Sequence, residues 1–299
     1  MIIPRTAPAA VPDVAGHYDD LDRFYRTVWG EHVHHGYWVS GHETPAEAAD
    51  ALSDLVAARL GLDGDGRFGS PSRPRPRQVV DIGCGYGATA RRLVRQYGVR
   101  VTGLTVSQAQ LDHATEAGRA AGFAPDNPQI FRRDWLANGL PDEAFDGGYA
   151  IESTEHMADK TRVFAEAYRV LRPGGRLAVC AWIAREGAAG WEVRHLLEPI
   201  CREGRLPGMG TEAEYRGWLA AAGFGAVAAE DISAAVRRTW TVCARRLATL
   251  LLRDAEARRF LLDSAQRNRV FALTLLRLWA AYRTGAMRYV VFTAEKPER

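Results

Sequence analysis

Asp81, Gly83, Gly85 and Gly87 follow the apolar run Val79-Val80 and precede the helix-forming stretch 88–94. A carboxylate at a strand end, glycines at alternate positions and a helix start form a cradle for a nucleotide-type ligand. Glycine permits positive φ and lets a ligand approach bare backbone, while the first helical N–H groups have no partner of their own. With Ala88 the string also satisfies the dinucleotide pattern G-x-G-x-x-G/A, so the glycines alone are weak evidence. Two residues argue against NAD. Asp81 precedes the first glycine, where it can face a ligand's ammonium group. Thr105 ends the next strand, where a dinucleotide fold wants an acid about 20 residues on. S-adenosylmethionine, cationic and lacking a pyrophosphate, suits the acid-first turn better. The bland alternative is a glycine turn with no ligand.

A second group lies beyond the fourth expected strand, in Glu152-Ser153-Thr154-Glu155-His156-Met157. His156 has the pKa range of a general base for an acidic O–H or N–H nucleophile. Its bland reading is a histidine that only shapes the pocket. Glu152 would hold the substrate or stabilise a cation, or else order the loop from behind. His32, His34 and His35 suggest a metal site, but no cysteine accompanies them and no partner ligands are evident, so no metal is expected. A lid carrying imidazole and aromatic groups fits better. Among the tryptophans 182, 191, 240 and 279, Trp240 is the best acceptor-pocket candidate, and Trp279 on a leucine-rich helix is expected in the core. The arginine pairs of the C-terminal helices are read as solvated faces.

These groups need an α/β scaffold. Strands near 79–82, 99–104, 129–131, 147–151 and 176–182 alternate with helices, the pattern of a parallel doubly wound sheet with ligands at its carboxyl ends. The expected fold is Rossmann-like: a mostly parallel seven-stranded sheet with an antiparallel edge strand and a helical cap. Residues 1–15 read as a mobile N-terminus and 16–60 as a helical lid. That lid contains an amphipathic helix over 17–29, and the capping box Thr44-Pro45-Ala46-Glu47 starts a second helix. Residues 61–77 are a flexible connector and 78–185 the cofactor-binding core. Residues 186–299 supply the cap and the last strands, near 224–232 and 287–294, of the same domain.

The 299 residues are 47% hydrophobic with a net charge of +3, and charges of both signs are interspersed. No basic footprint for nucleic acid is present. Lys160 and Lys296 are the only lysines, a coding bias towards arginine. Cys84, Cys180, Cys201 and Cys243 show no ligand spacing and read as reduced structural thiols. No apolar run spans a membrane and no leader is evident, so a cytoplasmic protein is expected.

The core resembles the class I S-adenosylmethionine-dependent methyltransferases, in Asp81 through Gly87, Asp134, 144–146 and the Leu171-Arg172-Pro173-Gly174-Gly175 stretch. Residues 28–38, 152–160 and 284–289 with Glu295-Lys296-Pro297 sharpen this to tocopherol-type and bacterial natural-product methyltransferases. Thr105 departs from the general pattern, which has an acid there, but the tocopherol-type branch shares the departure. The resemblance implies that Asp81, Gly83 and Gly85 hold the methionine moiety and that Thr105 and Gln110 contact the ribose. It further implies that Asp134 accepts from the adenine amino group, that Trp135 packs on the ring, and that Tyr18 and Gly36 close the site. His35, Tyr37, Trp182 and Trp240 are the expected substrate contacts. The implied activity is methyl transfer to an apolar small molecule in specialised metabolism. Carbon on an aromatic ring or prenyl chain is favoured as the acceptor atom, and oxygen or nitrogen of a natural product or its sugar is the alternative. A cofactor-binding cyclase or regulatory binder is the reading from another class. A homo-oligomer is left open.

Overall fold

The structure, a computed structural model, describes residues 14–16, 18–19, 22, 26, 29–62, 77–255, 258–259 and 271–298. Most of the expected mobile terminus, much of the 17–29 helix, the 63–76 part of the connector and residues 260–270 of the cap lie outside the described residues.

Strand β1 (Gln78–Ile82) is central, buried from its second residue on. It pairs in parallel with β2 (Arg100–Thr105) on one side and β4 (Phe145–Ile151) on the other. The sheet order is β3-β2-β1-β4-β5-β7-β6, with β3 at Gln129–Arg132, β5 at Leu171–Ala184, β6 at Gly225–Asp231 and β7 at Met287–Glu295. The chain thus winds outward from β1 to β3, then returns to β4. The crevice between the carboxyl ends of β1 and β4 is the switch point where doubly wound sheets bind ligands.

The last two strands add the expected antiparallel edge. β7 runs antiparallel between β5 and β6, and β6 forms the edge. β5 begins earlier than expected. Helix α4 (Lys160–Val170) stops as the Pro173-Gly174-Gly175 stretch requires, yet Leu171 already pairs with Phe145 before the register breaks to Gly147 and Arg176.

Helix α1 (Pro45–Leu60) starts with the capping box of Thr44 and Glu47 and ends at left-handed Gly61. Helix α2 (Ala88–Tyr97) has Gly87 at its N-cap and no side-chain cap, so its first N–H groups stay available beside the glycine turn. Helix α3 (Gln108–Ala120) is capped by Ser107 and α4 by Asp159. Helix α5 spans 190–203 with a π turn at Val193–Leu197. Helices α6 (Glu212–Ala221), α7 (Ser233–Val236), α8 (Arg238–Arg253) and α9 (Phe271–Thr284) follow. Two apolar layers result. Leu52 and Val56 of α1, Leu93 of α2, Trp240 of α8 and Leu278 of α9 cover one face of the sheet. Val163 and Phe164 of α4 with Tyr215 and Leu219 of α6 cover the other. Helices α5, α8 and α9 pack together as the cap.

Trp279 is not in the core: it is 41% exposed, and the Arg283 guanidinium lies 4.3 Å from its ring centroid. Leu275, Leu278 and Tyr282 take the inward stripe of α9, which rotates Leu276 and Trp279 outward. Trp191 is also exposed. Among the described residues no helix is long and apolar enough to cross a membrane.

Candidate active site

The switch-point crevice is a cleft whose wall carries Gly83 and Gly85 after β1, Thr105 and Gln110 after β2, and Asp134 and Trp135 after β3. Glu152 and His156 after β4 and Tyr18 from the N-terminal segment complete it. Nine of the expected site residues therefore converge from four strand ends and one outlying segment.

The glycine turn is shaped for a close ligand. Gly83 has φ +80°, and a Cβ there would lie 2.4 Å from the Ser153 Cβ. Ser153 in turn donates its hydroxyl to the Ile82 carbonyl, which ties the β1 turn to the β4 turn. At Gly85, φ +52°, which lines the cleft, a Cβ would meet nothing within 4 Å. Asp81 opens into an adjoining pocket with His32, His34, Thr89 and Tyr149. Its carboxyl is buried and accepts the Tyr149 hydroxyl at 2.7 Å, with no cationic partner among the described residues. Burial pushes its pKa up to about 7. A buried carboxyl without a counter-charge, next to a bare backbone turn, fits the ammonium end of S-adenosylmethionine.

At the other end Thr105 donates to Gln110 Oε1 at 2.6 Å. Asp134 caps the turn Trp135–Ala137 by accepting from the Leu136 N–H at 2.9 Å. The Trp135 indole is anchored by donation to the Val163 carbonyl, leaving the ring to line the cleft.

Glu152, Tyr18 and His156 also line a second cavity, shared with Trp29, Trp182, Trp240, Ile200, Leu206, Thr274 and Leu278. This one is walled by aromatic and aliphatic groups of the cap. His156 thus stands on the wall between the two, and its Nε2 lies 2.9 Å from the Tyr18 hydroxyl. Glu152 is fixed from behind. It adopts φ +53°, a left-handed conformation that costs a non-glycine residue about 1–3 kcal/mol. Its carboxylate accepts the His35 main-chain N–H at 2.7 Å, the Trp182 indole N–H at 2.7 Å and the Tyr289 hydroxyl at 2.8 Å. Burial disfavours its ionised form, but the facing His35 imidazole and the His35 main-chain N–H outweigh that and hold its pKa below the usual carboxylate value. Glu152 is an oriented anion.

His35 does not reach either cavity. It is buried behind Glu152, within 5.5 Å of the Trp182, Trp240, Tyr282 and Tyr289 ring centroids. Gly36 and Tyr37 lie outside the cavities as well. A Cβ at Gly36 would be 2.6 Å from the Ala48 Cβ, so α1 packs directly on that backbone. The Gly36 N–H and the Trp38 indole both donate to Thr239, and the Tyr37 N–H donates to the Ala48 carbonyl. These residues anchor the N-terminal segment to α1 and α8.

The other two imidazoles form a chain. His34 Nδ1 donates to the His35 carbonyl at 2.8 Å, so its Nε2 accepts from His32 Nδ1 at 2.9 Å. Burial, then the neighbouring His32, lowers the His34 pKa to about 4 and keeps it neutral. His32 Nε2 lies 3.3 Å from Asp50.

Sequence reasoning missed several groups. Arg246 donates to the Trp29 carbonyl, and Arg238 donates to the Gly41 carbonyl and stacks on Trp38. Arg237, Arg238 and Arg245 are exposed, as the reading of solvated faces expects, but Arg238 and Arg246 also tether the N-terminal segment. Ser153 and Tyr289 lie in stretches that carry the family resemblance but were given no role there, and Thr239 carried no signal beyond residue type.

A methyltransferase-domain family model matches residues 80–179. The 27-O-demethylrifamycin SV methyltransferase of Amycolatopsis mediterranei (strain S699) is 34% identical over 287 residues, which are 94% of this chain and 96% of that protein. The chloroplastic tocopherol O-methyltransferase of Arabidopsis thaliana is 27% identical over 295 residues, 95% of this chain and 82% of that protein. Among solved structures, the cyclase SpnF superposes with a TM-score of 0.77 at 29% identity, covering 99% of both chains.

Proposed function

The chain belongs to the S-adenosylmethionine-dependent methyltransferases of specialised metabolism, and on that premise we propose that it methylates a hydroxyl group of a largely apolar small molecule. The observation that carries this reading is the place of His156, on the wall common to the glycine-turn cleft and the aromatic cavity. The names of the two curated relatives, each an oxygen methylation, point the same way. S-adenosylmethionine, bound by Asp81, the glycine turn, Thr105, Gln110 and Asp134, supplies an electrophilic methyl group.

His156 takes the proton from the acceptor hydroxyl, a role that contributes about 10²–10⁴-fold. The Tyr18 hydroxyl, 2.9 Å from Nε2, orients the ring. Trp29, Trp182 and Trp240 exclude water and align the acceptor, which is the larger part of the rate enhancement for a displacement of this kind. Glu152 presents a fixed negative charge to the same cavity.

That charge favours a second reading, carbon methylation, the acceptor atom that the sequence resemblance favours. An ionised carboxylate beside tryptophan rings stabilises a carbocation before it loses a proton. Methyl-labelled donor with 27-O-demethylrifamycin SV as first probe, and with a producing-cell extract, tests the assignment. A labelled O-methyl ether and S-adenosylhomocysteine are expected, and His156→Ala should lower kcat by about 10²–10⁴-fold with donor affinity retained. A carbon-bound label would move the assignment to the second reading. An isomerised acceptor without S-adenosylhomocysteine would place the chain with the cyclases.

A further inference from the structure

Lys160 and Lys296 are the only lysines among 39 basic residues, and both are buried. In a chain whose other basic residues are arginine, both lysines stand at buried places where several carbonyl oxygens converge on one atom. The ammonium is compact and offers three donors around one atom, whereas the guanidinium is a planar fork. Both lysines use that difference in the same way. Lys296 donates to the carbonyl oxygens of Tyr168 at 3.0 Å and Leu171 at 2.8 Å, far from the cleft. Lys160 donates to those of Thr154 at 2.7 Å, Glu155 at 3.1 Å and Met157 at 2.5 Å.

The three oxygens gathered by Lys160 flank His156 on both sides along the chain. They belong to the single turn Thr154–His156 and to the residue after it. The same turn is tied to β5 through Glu155, whose carboxylate accepts the Trp182 N–H at 2.6 Å. None of this serves the helix that Lys160 begins. A cation in a first helical turn opposes the macrodipole, and burial lowers the Lys160 pKa and raises that of Glu155. The turn is what the arrangement holds.

We propose that Lys160 is a positioning residue for His156: its ammonium draws three carbonyl oxygens together and so fixes the imidazole on the wall shared by the two cavities. The catalytic consequence, though not the placement itself, rests on His156 being the acceptor-side base.

Lys160→Met, Lys160→Arg, His156→Ala and the double variant Lys160→Met/His156→Ala provide the test, with Lys296→Met as a control of matched chemistry. The first readout is the His156 imidazole signal in the NMR spectrum of the S-adenosylhomocysteine complex, assigned by its loss in His156→Ala. Lys160→Met and Lys160→Arg should both shift that signal and its pH titration, and Lys296→Met should leave it in place. The second readout is kcat with the acceptor identified by labelled donor. Both Lys160 variants should lose about 10²-fold, the scale of a 1 Å misplacement, with KM for the donor little changed. Lys160→Met should cost nothing further once His156 is alanine. Lys296→Met should lower the melting temperature and keep kcat. An unmoved His156 signal in folded Lys160→Arg overturns the proposal, and Lys160→Arg remains the test if Lys160→Met does not fold. An equal kcat loss with and without His156 overturns the catalytic link. Full activity of His156→Ala would instead remove the base assignment, and the imidazole signal would then judge Lys160 by itself.

Discussion

His35 Nδ1 lies 2.9 Å from Glu152 Oε1, with 1% and 5% of the two side chains exposed. Glu152 lines the aromatic cavity with His35 buried behind it, and the strained Glu152 backbone persists because three further donors converge on the same carboxylate. Removing an acceptor from buried donors costs about 1–3 kcal/mol for each group left unpaired. Glu152→Gln should show a loss of that order, because an amide must turn its NH2 towards the Trp182 indole or towards the His35 and Tyr289 donors. The Glu152 pKa is depressed, so its contribution is present above the unfolded-state value and is lost as pH falls through the lower folded-state value. Urea midpoints of wild type and Glu152→Gln should therefore differ most near neutrality and converge in acid below the ordinary carboxylate range. A constant difference down to pH 3 would show that Glu152 is not held ionised.

Asp81 titrates in the opposite sense. Its pKa of about 7 is raised by burial, so without ligand the folded state binds this proton more tightly than the unfolded chain does. That contribution is full below the unfolded-state value and is lost as pH rises towards 7. A ligand ammonium reverses the balance by stabilising the carboxylate. S-adenosylhomocysteine affinity should consequently rise with pH up to about 7–8 and release a proton on binding below that range. Calorimetry in two buffers of different ionisation enthalpy, at pH 6 and pH 8, measures the released proton. Asp81→Asn should remove the release, weaken binding and raise the melting temperature of the free protein above pH 7.

The two turn glycines should fail in different ways. Alanine at Gly83 meets Ser153 as well as an unfavourable φ, while alanine at Gly85 meets only the φ, at about 1–2 kcal/mol. Gly85→Ala should fold and lose donor affinity, since it adds bulk and strains the φ of a residue that lines the cleft. Gly83→Ala should lower the melting temperature further, and Ser153→Gly in the same chain should restore part of it. Thermal melts of the three variants check this, and no gain from Ser153→Gly would mean that the steric account is wrong.

The order of elements was readable because each strand end in the first 180 residues carries its own chemistry: Asp81 before glycines, Thr105, Asp134, Glu152. Local rules were sufficient for these, as they were for the Thr44 capping box. Gly36, Tyr37 and His35 show what local rules miss. Residue type suggested ligand contact for His35 and Tyr37, and the family resemblance for Gly36, but the Gly36 N–H finds its acceptor on Thr239, 203 residues away. Whether a backbone faces a cleft or a helix depends on such long-range docking, and no periodicity encodes it. Trp279 illustrates the same limit on a helix. Leucine at both inward and outward positions of α9 blurs the stripe, and only the packing of Leu275, Leu278 and Tyr282 decides which side is buried.

The anchors found at Gly36–Trp38 set these residues apart from Tyr18 and Val33, which line the cleft. Residues 36–38 are held by Thr239, by Ala48 and by the Trp38 N–H donating to the Ala235 carbonyl at 3.0 Å. Tyr18 and Val33, by contrast, face the cleft itself, and Asp22 reaches the core through the Tyr86 hydroxyl at 2.6 Å. A ligand in the cleft adds contacts to the second group and none to the first. Local opening free energy follows such contacts. Hydrogen exchange with and without S-adenosylhomocysteine should show slow exchange at Gly36 and Trp38 in both states. Protection at 18–33 should rise only when the ligand is present, together with that of the turn 83–87. Equal protection of 18–33 in the two states would remove the lid. Fast exchange at Gly36 without ligand would instead mean that the whole segment opens from α1 and α8, with Thr239 no longer acting as its anchor.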